Sequence, residues 1–355
     1  MVPTERQCDD MVKMRGIGLN RLPAAQCLRV WMISVASLLM FSVGALGQTE
    51  HAANQPPSSI APPDWLFPVN PPAPAKPPTY RGTVRVPHSR ITFLPGQLSD
   101  LFSAPDWHPA DHPVMPEVVA HGRRPSVYAC GYCHLPDGGG RPENASLAGL
   151  PATYIAQQVA DIRNGTRRTA LPTRVPPKLM TQLAAVATDT EIKAAAEYFA
   201  ELQPQFRIKV VESDTVPRIY VAGWILAVDK AGPREPIGQR IIEVPEDVEQ
   251  FEHRDSRTGF IAFVPVGSVE AGRELVAGGG ADKTIACSGC HGADLEGVGD
   301  VPGIAGRSPS YIMRQLFDIQ SGLRAGTAIA PMVPVVTKLN ILEMIQISSY
   351  LATRH

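Results

Sequence analysis

Aromatic side chains are scarce, at 6% of 355 residues, and charged ones are few, at 19%. A core this poor in aromatics leans on a metal, disulfides or a prosthetic group. Neither sign of charge dominates, since the formal net charge is −1. That excludes a broad basic face of the kind that holds nucleic acid, so no nucleic-acid partner is expected. Cysteine is sparse as well, with six in the chain. What abounds is proline, at 35 residues, about twice its ordinary share. Apolar residues, at 44%, suffice for a packed interior, and the length suits two or three domains.

The first 47 residues read as an export segment. Lys13, Arg15, Arg21 and Arg29 precede an apolar run from Val30 to Gly47, which closes on Ala45-Leu46-Gly47. A positive flank, an apolar run and small residues at −3 and −1 make a secretory signal cleaved after Gly47. The alternative is an uncleaved signal, with 30–47 attaching the protein to the membrane. Either way the remainder is exported and a periplasmic location is expected. Cys8 and Cys27 belong to this segment. After it, 48–78 is a Pro-rich linker with ten prolines between 54 and 78, a stiff extended tether rather than a packed element.

The four remaining cysteines form Cys130-Gly131-Tyr132-Cys133-His134 and Cys287-Ser288-Gly289-Cys290-His291. Both read C-x-x-C-H, the attachment pattern of covalent c-type haem. Two cysteines three apart on a helical turn face one way, and each can form a thioether with a haem vinyl. The next residue then projects its imidazole toward the iron. A redox-active dithiol and a shared zinc site are the competing readings. The zinc reading suffers from the 153 residues between the two pairs.

The two motifs lie 157 residues apart, and the flanking sequence matches at that offset. Leu147-Ala148-Gly149 matches Ile304-Ala305-Gly306. Tyr154, Gln158, Asp161, Gly165 and Arg167 match Tyr311, Gln315, Asp318, Gly322 and Arg324. Further on the offset drops to 152, where Met180 meets Met332 and Tyr198 meets Tyr350. Such self-similarity implies a duplicated unit of about 80–90 residues. Each copy reads as helices. The stretch 152–164 carries an apolar face and ends at Gly165. Ser308-Pro309 opens its counterpart. Thr188 with Glu191, and Asn340 with Glu343, have the spacing of capping boxes.

A c-type iron that only carries electrons is closed on both faces, and soft methionine sulfur opposite histidine favours the ferrous state. Met180 follows the first motif, and Met313, Met332 and Met344 follow the second. Met313 and Met344 fall inside amphipathic helices and suit core filling. Met180 and Met332 sit in Pro-rich stretches read as loops, each 18 residues before its terminal-helix tyrosine. That matching placement points to them as axial ligands.

Taken together, the C-x-x-C-H turns, the LAG/IAG turn, the Y-I-x-x-Q-x-x-D-I helix, the following Gly-x-Arg, the methionine and the terminal tyrosine resemble class I cytochrome c domains. The tandem is similar to dihaem cytochromes of the c4 type. The resemblance implies a mainly α fold with two tandem domains, at 117–203 and 272–355. It also implies two covalently bound haem c groups, attached at Cys130, Cys133, Cys287 and Cys290. Their irons would be held by His134 with Met180 and by His291 with Met332. The family often places proline before the LAG turn, where its carbonyl orients the histidine. Copy two has Pro302 there, but copy one has Ala145. Leu135 likewise stands where copy two keeps the usual glycine, Gly292.

Two segments fall outside the resemblance. The stretch 79–116 is an N-terminal extension whose His108 and His112 read as part of a Pro-broken loop on a haem edge. The stretch 204–271 is a β-rich insert with runs at 208–211, 219–228, 241–244 and 260–266, expected as a small antiparallel unit. It serves as a spacer or as a docking surface, and His253 within it reads as a solvated loop residue. The functional expectation is an electron carrier rather than an enzyme. Its redox partners would be a quinol-linked complex, a dehydrogenase or a terminal oxidase. The alternatives are an electron-transfer subunit of a larger oxidoreductase and, less well supported, a dihaem peroxidase, which would need an open iron.

Overall fold

Side-chain caps at Thr188, Asp247, Ser308 and Asn340 start four of the described helices. The computed structural model describes residues 61–71 and 82–355. The export segment over 1–47, the membrane-anchoring reading of 30–47 and most of the 48–78 linker lie outside those residues. The described residues belong to one compact unit that runs from Pro57 to His355.

In the extension a short helix, α1 (Pro95–Leu98), precedes copy one. Copy one comprises α2 (Glu117–Ala120), α3 (Cys130–His134), α4 (Ala152–Arg163), α5 (Val175–Val186) and α6 (Asp189–Glu201). The α6 capping box forms as its spacing requires. Glu191 N–H donates to Thr188 Oγ1 at 3.2 Å, and Thr188 N–H donates to Glu191 Oε2 at 2.8 Å. The buried face of α6, with Ala195, Ala196, Tyr198 and Phe199, packs on Val119, Val127, Leu150 and Ile155.

The insert holds β1 (Ile208–Glu212), β2 (Thr215–Pro217), β3 (Ile219–Ala222), β4 (Ile225–Val228), β5 (Arg234–Pro236), β6 (Ile242–Pro245), α7 (Val248–Glu252) and β7 (Phe260–Val264). It is not purely antiparallel. β7 pairs antiparallel with β6 but parallel with β1, Ile208 opposite Phe260. A parallel pair needs a long crossover, and residues 213–259 supply it. β3 and β4 close on a tight turn where Gly223 (φ 55°) and Trp224 (φ 70°) are both left-handed.

Copy two comprises α8 (Ser268–Gly278), α9 (Ser288–His291), the ribbon β8 (Gly297–Val298) and β9 (Val301–Pro302), and α10 (Pro309–Gln320). A 3₁₀ helix over Thr327–Met332, α11 (Val333–Val336) and α12 (Ile341–Ala352) complete it. α10 opens as expected, with Ser308 Oγ accepting from Tyr311 N–H at 3.2 Å. Part of the segment read as a tether is packed here. Leu66 (1% exposed) and Phe67 (4%) join the core of copy two, with Phe67 edge-on to Phe317. Trp65-Leu66-Phe67 is an apolar island among the prolines, and its burial outweighs the stiffness of its flanks. Pro68 O accepts from Arg174 Nε at 2.8 Å.

The copies meet through the residues that match between them. Arg167 donates to Tyr311 Oη at 2.9 Å and Gln315 Oε1 at 3.1 Å. Arg324 donates to Tyr154 Oη at 2.9 Å and Gln158 Oε1 at 2.8 Å. Between them run two backbone bonds, Arg168 N–H to Leu323 O at 2.7 Å and Ala325 N–H to Thr166 O at 2.8 Å. The joint is self-complementary, as a two-fold contact requires.

Replacing Arg324 by alanine strands Tyr154 Oη and takes one of two arginine donors from each of Gln158 and Gln315, and should cost about 2–3 kcal/mol in denaturant unfolding. Gly272 tests the crossing of α8 and α12 in copy two. A methyl there would overlap the Gln346 carbonyl oxygen and stand 2.8 Å from Tyr350 Cβ. Helix propensity alone would make Gly272→Ala stabilising by about 1 kcal/mol. Overpacking reverses the sign, and a net loss of about 1–2 kcal/mol is expected in the same assay.

Candidate functional site

α3 and α9 are single helical turns built on the two C-x-x-C-H motifs. Cys287, just before α9, already has helical φ −66° and ψ −33°. None of the four cysteines is paired in a disulfide. Burial pushes the Cys130 thiol up to about 12 and the Cys287 thiol up to about 11. Both are therefore protonated at neutral pH, the opposite of an activated dithiol. Among the described residues no group of three or more His, Cys, Asp and Glu is placed to hold a metal ion. The two C-x-x-C pairs thus do not converge on a shared zinc site.

Each histidine of these motifs is held by a carbonyl in the following loop. His134 Nδ1 lies 2.8 Å from Ala145 O, and His291 Nδ1 lies 2.7 Å from Pro302 O. A carbonyl only accepts, so Nδ1 carries the proton and Nε2 keeps its lone pair. Burial lowers both histidine pKa values, which keeps the rings neutral. Ala145 does for copy one what Pro302 does for copy two, because the bond uses only backbone. The second departure is visible as strain. Leu135 adopts φ 65°, ψ 153°, where Gly292 takes φ 85°, ψ 159°. For a leucine that region costs about 1–3 kcal/mol. Burying the side chain, which is 4% exposed, returns about as much.

Both turns open on one cavity of about 970 Å³. All eight residues singled out from the sequence line it: Cys130, Cys133, His134 and Met180 with Cys287, Cys290, His291 and Met332. Met313 and Met344, both 0% exposed, lie in the apolar core of copy two and not on the cavity wall. Met180 is not in a loop, however. Pro176 and Pro177 occupy the first turn of α5, where a missing N–H costs nothing, so the Pro-rich stretch starts a helix. Met332 ends the 3₁₀ helix.

Arginines line the same cavity. Arg167 and Arg324 face it from the joint. Arg307 reaches across to Ser146 O at 3.1 Å and Ala148 O at 3.2 Å, yet its buried Nε has no partner. Burial pushes Arg307 down to about 10, the mark of a guanidinium short of counter-charge. Paired cysteines, a neutral imidazole, a thioether on the same cavity wall, apolar walls and an unsatisfied guanidinium fit an anionic, apolar-bodied prosthetic group bearing a metal. Sequence comparison between the copies could not flag Arg307, because its match in copy one is Leu150.

The histidines of the extension lie elsewhere. His108 Nε2 pairs with Asp255 Oδ1 at 2.9 Å, and His112 Nε2 with Asp106 Oδ1 at 3.2 Å. His253 is buried rather than solvated, and its carbonyl accepts from Trp107 Nε1 at 2.8 Å. The His108 and Trp107 contacts tie the extension to the insert, while the His112 pair lies within the extension.

No family model matches the chain. Cytochrome c4 of Azotobacter vinelandii is 26% identical over 233 residues, covering 64% of this chain and 84% of that protein. The thiosulfate dehydrogenase electron acceptor of Thiomonas intermedia (strain K12) is 24% identical over 235 residues, covering 65% of this chain and 80% of that protein. The chain thus resembles the tandem cytochromes of the c4 type. Among solved structures, thiosulfate dehydrogenase (TsdBA) from Marichromatium purpuratum overlays at a TM-score of 0.44 and 26% identity, covering 66% of this chain and 38% of that one.

Asp318, on the cavity wall, accepts from Ala170 N–H at 3.0 Å across the joint. Burial pushes its carboxyl up to about 6 from an ordinary 3.8. The folded chain therefore holds this proton where the unfolded chain has lost it. Stability should fall by about 3 kcal/mol as pH rises from about 4 to 6, at about 1.4 kcal/mol per pH unit. Unfolding titrations of Asp318→Asn should lose that slope.

Proposed function

We propose that this chain is a periplasmic dihaem cytochrome that passes single electrons between redox partners, built from two tandem class I cytochrome c domains flanking the insert. Cys130 and Cys133 attach one haem, and Cys287 and Cys290 attach the other. His134 with Met180 and His291 with Met332 close the two irons. One observation carries this reading. A single cavity gathers both C-x-x-C-H turns with the two methionines that match between the copies, and leaves out the two that do not.

Bound there, haem iron supplies a reversible one-electron change between ferric and ferrous states. The chain does the holding. Ala145 and Pro302 fix the tautomer and orientation of the histidines. The soft thioethers of Met180 and Met332 favour the ferrous form. The apolar wall keeps water away, and Arg307, Arg167 and Arg324 offer cations to carboxylates of the group. Two methionines leave no face for a substrate, which supports a carrier over a peroxidase. The name of the Thiomonas relative favours one further reading, an electron-accepting subunit of a larger dehydrogenase. A stable partner co-purifying at fixed stoichiometry would distinguish that subunit from a free shuttle.

Protein matured by a haem-attachment system should carry two haems per chain by pyridine haemochrome assay. Its oxidised spectrum should show the methionine–iron charge-transfer band, and carbon monoxide should not shift the reduced spectrum. Met180→Ala and Met332→Ala should each remove about half of the band and open one iron to carbon monoxide. A carbon monoxide shift in the unaltered protein would refute the ligand assignment at one site.

A further inference from the structure

The faces around the two attachment turns match in sequence but not in exposure. On copy one the insert covers this face. Asp137 pairs with Arg207 at 2.7 Å, Arg141 stacks on the Phe251 ring at 3.7 Å, and Arg254 stacks on Tyr132 at 3.7 Å. Arg254 also donates to the Tyr132 carbonyl at 2.9 Å. Asp137, Arg141 and Tyr132 are all buried. At the offset of 157 their counterparts are Asp294, Val298 and Gly289, and all three are exposed. Val298, which is not on the cavity wall, keeps 60% of its surface. The β8–β9 ribbon sets Val298 beside Gly292, directly after the turn.

We propose that this open face of copy two docks a redox protein that presents a basic rim around an apolar or aromatic centre. The proposal rests on the electron-transfer reading above. Two observations set the chemistry of the partner. The rim is acidic, with Asp294 and Glu296 exposed beside Val298, and with Asp300 next to them accepting from Thr153 Oγ1 of copy one. Of the nearby lysines, Lys283 is held by Glu343 at 3.2 Å, and Lys338 donates to the Asp282 carbonyl at 3.1 Å. The second observation is the occupant of the matching face. The insert meets copy one with two arginines and a phenylalanine, so a partner of the same character is complementary to copy two. Its cations answer the acidic rim, and its apolar centre covers Val298. Copy one needs no such partner there, because its own chain already fills the place.

The test uses the full dihaem protein and a lysine-ringed monohaem cytochrome c as probe. Binding of the zinc-substituted probe is read by calorimetry, and electron exchange with the native probe by stopped flow. Asp294→Asn/Glu296→Gln should weaken binding and slow exchange about tenfold at low salt, and added salt should do the same to the unaltered protein. Val298→Arg, which installs the residue of copy one, should have a similar effect. Glu197→Gln/Glu201→Gln on α6 should change neither. Equal binding by all variants would overturn the proposal, as would tighter binding of an acid-ringed blue copper protein. A dimer of the unaltered protein that Val298→Arg dissociates would assign the face to a second copy and also overturn it. Absence of the second haem from the spectrum would show that the electron-transfer reading had failed first.

Discussion

Two arginines, each reaching into the other copy, are the contact on which the rest of this molecule turns. Arg167 and Arg324 bind a tyrosine and a glutamine across the joint, and the same two glutamines also accept from the arginine of their own copy, at 2.9 Å and 3.1 Å. The crossing makes one unit of two short helical copies, neither of which has many aromatics to bury. It also merges what would be two clefts into one cavity, with a C-x-x-C-H turn at each end. A buried guanidinium is costly without partners. Here each gives three hydrogen bonds to tyrosine and glutamine oxygens, which makes the joint specific as well as tight.

The joint is symmetrical, but the outer faces of the two copies differ. Copy one carries Arg141 and Leu135 where copy two carries Val298 and Gly292. The first pair makes sense only with the insert in place. Phe251 covers the guanidinium of Arg141, and the burial of Leu135 offsets its backbone strain. Without the insert, the smaller residues of copy two are the better fit to water. The insert is thus more than a spacer, because it is the built-in cover of one attachment turn. The extension adds to that cover, tied to the insert through Trp107 with His253 and through His108 with Asp255.

Much of this was legible in the residues. The repeat offset picked out the joint, since Tyr154, Gln158 and Arg167 recur at 157 and all are used there. Capping boxes and the Ser308-Pro309 start placed three helix ends. The C-x-x-C-H spacing and the matched methionines named eight residues that line the cavity. What was not legible depended on tertiary contact. Proline at Pro176 and Pro177 reads equally as loop or as the first turn of a helix. The packing of Leu66 and Phe67 depends on a core more than two hundred residues away. Parallel pairing of β1 with β7 leaves no local signal, because it depends on where the chain returns. Arg307 has no counterpart in copy one, so the repeat could not mark it.

Proton NMR of the reduced protein tests the central claim most directly. A methionine bound to ferrous haem iron has its methyl signal moved far upfield by the ring current. The account requires two such methyl signals, one lost on replacing Met180 and the other on replacing Met332. A spectrum with one signal or none, from protein carrying both haems, would contradict it.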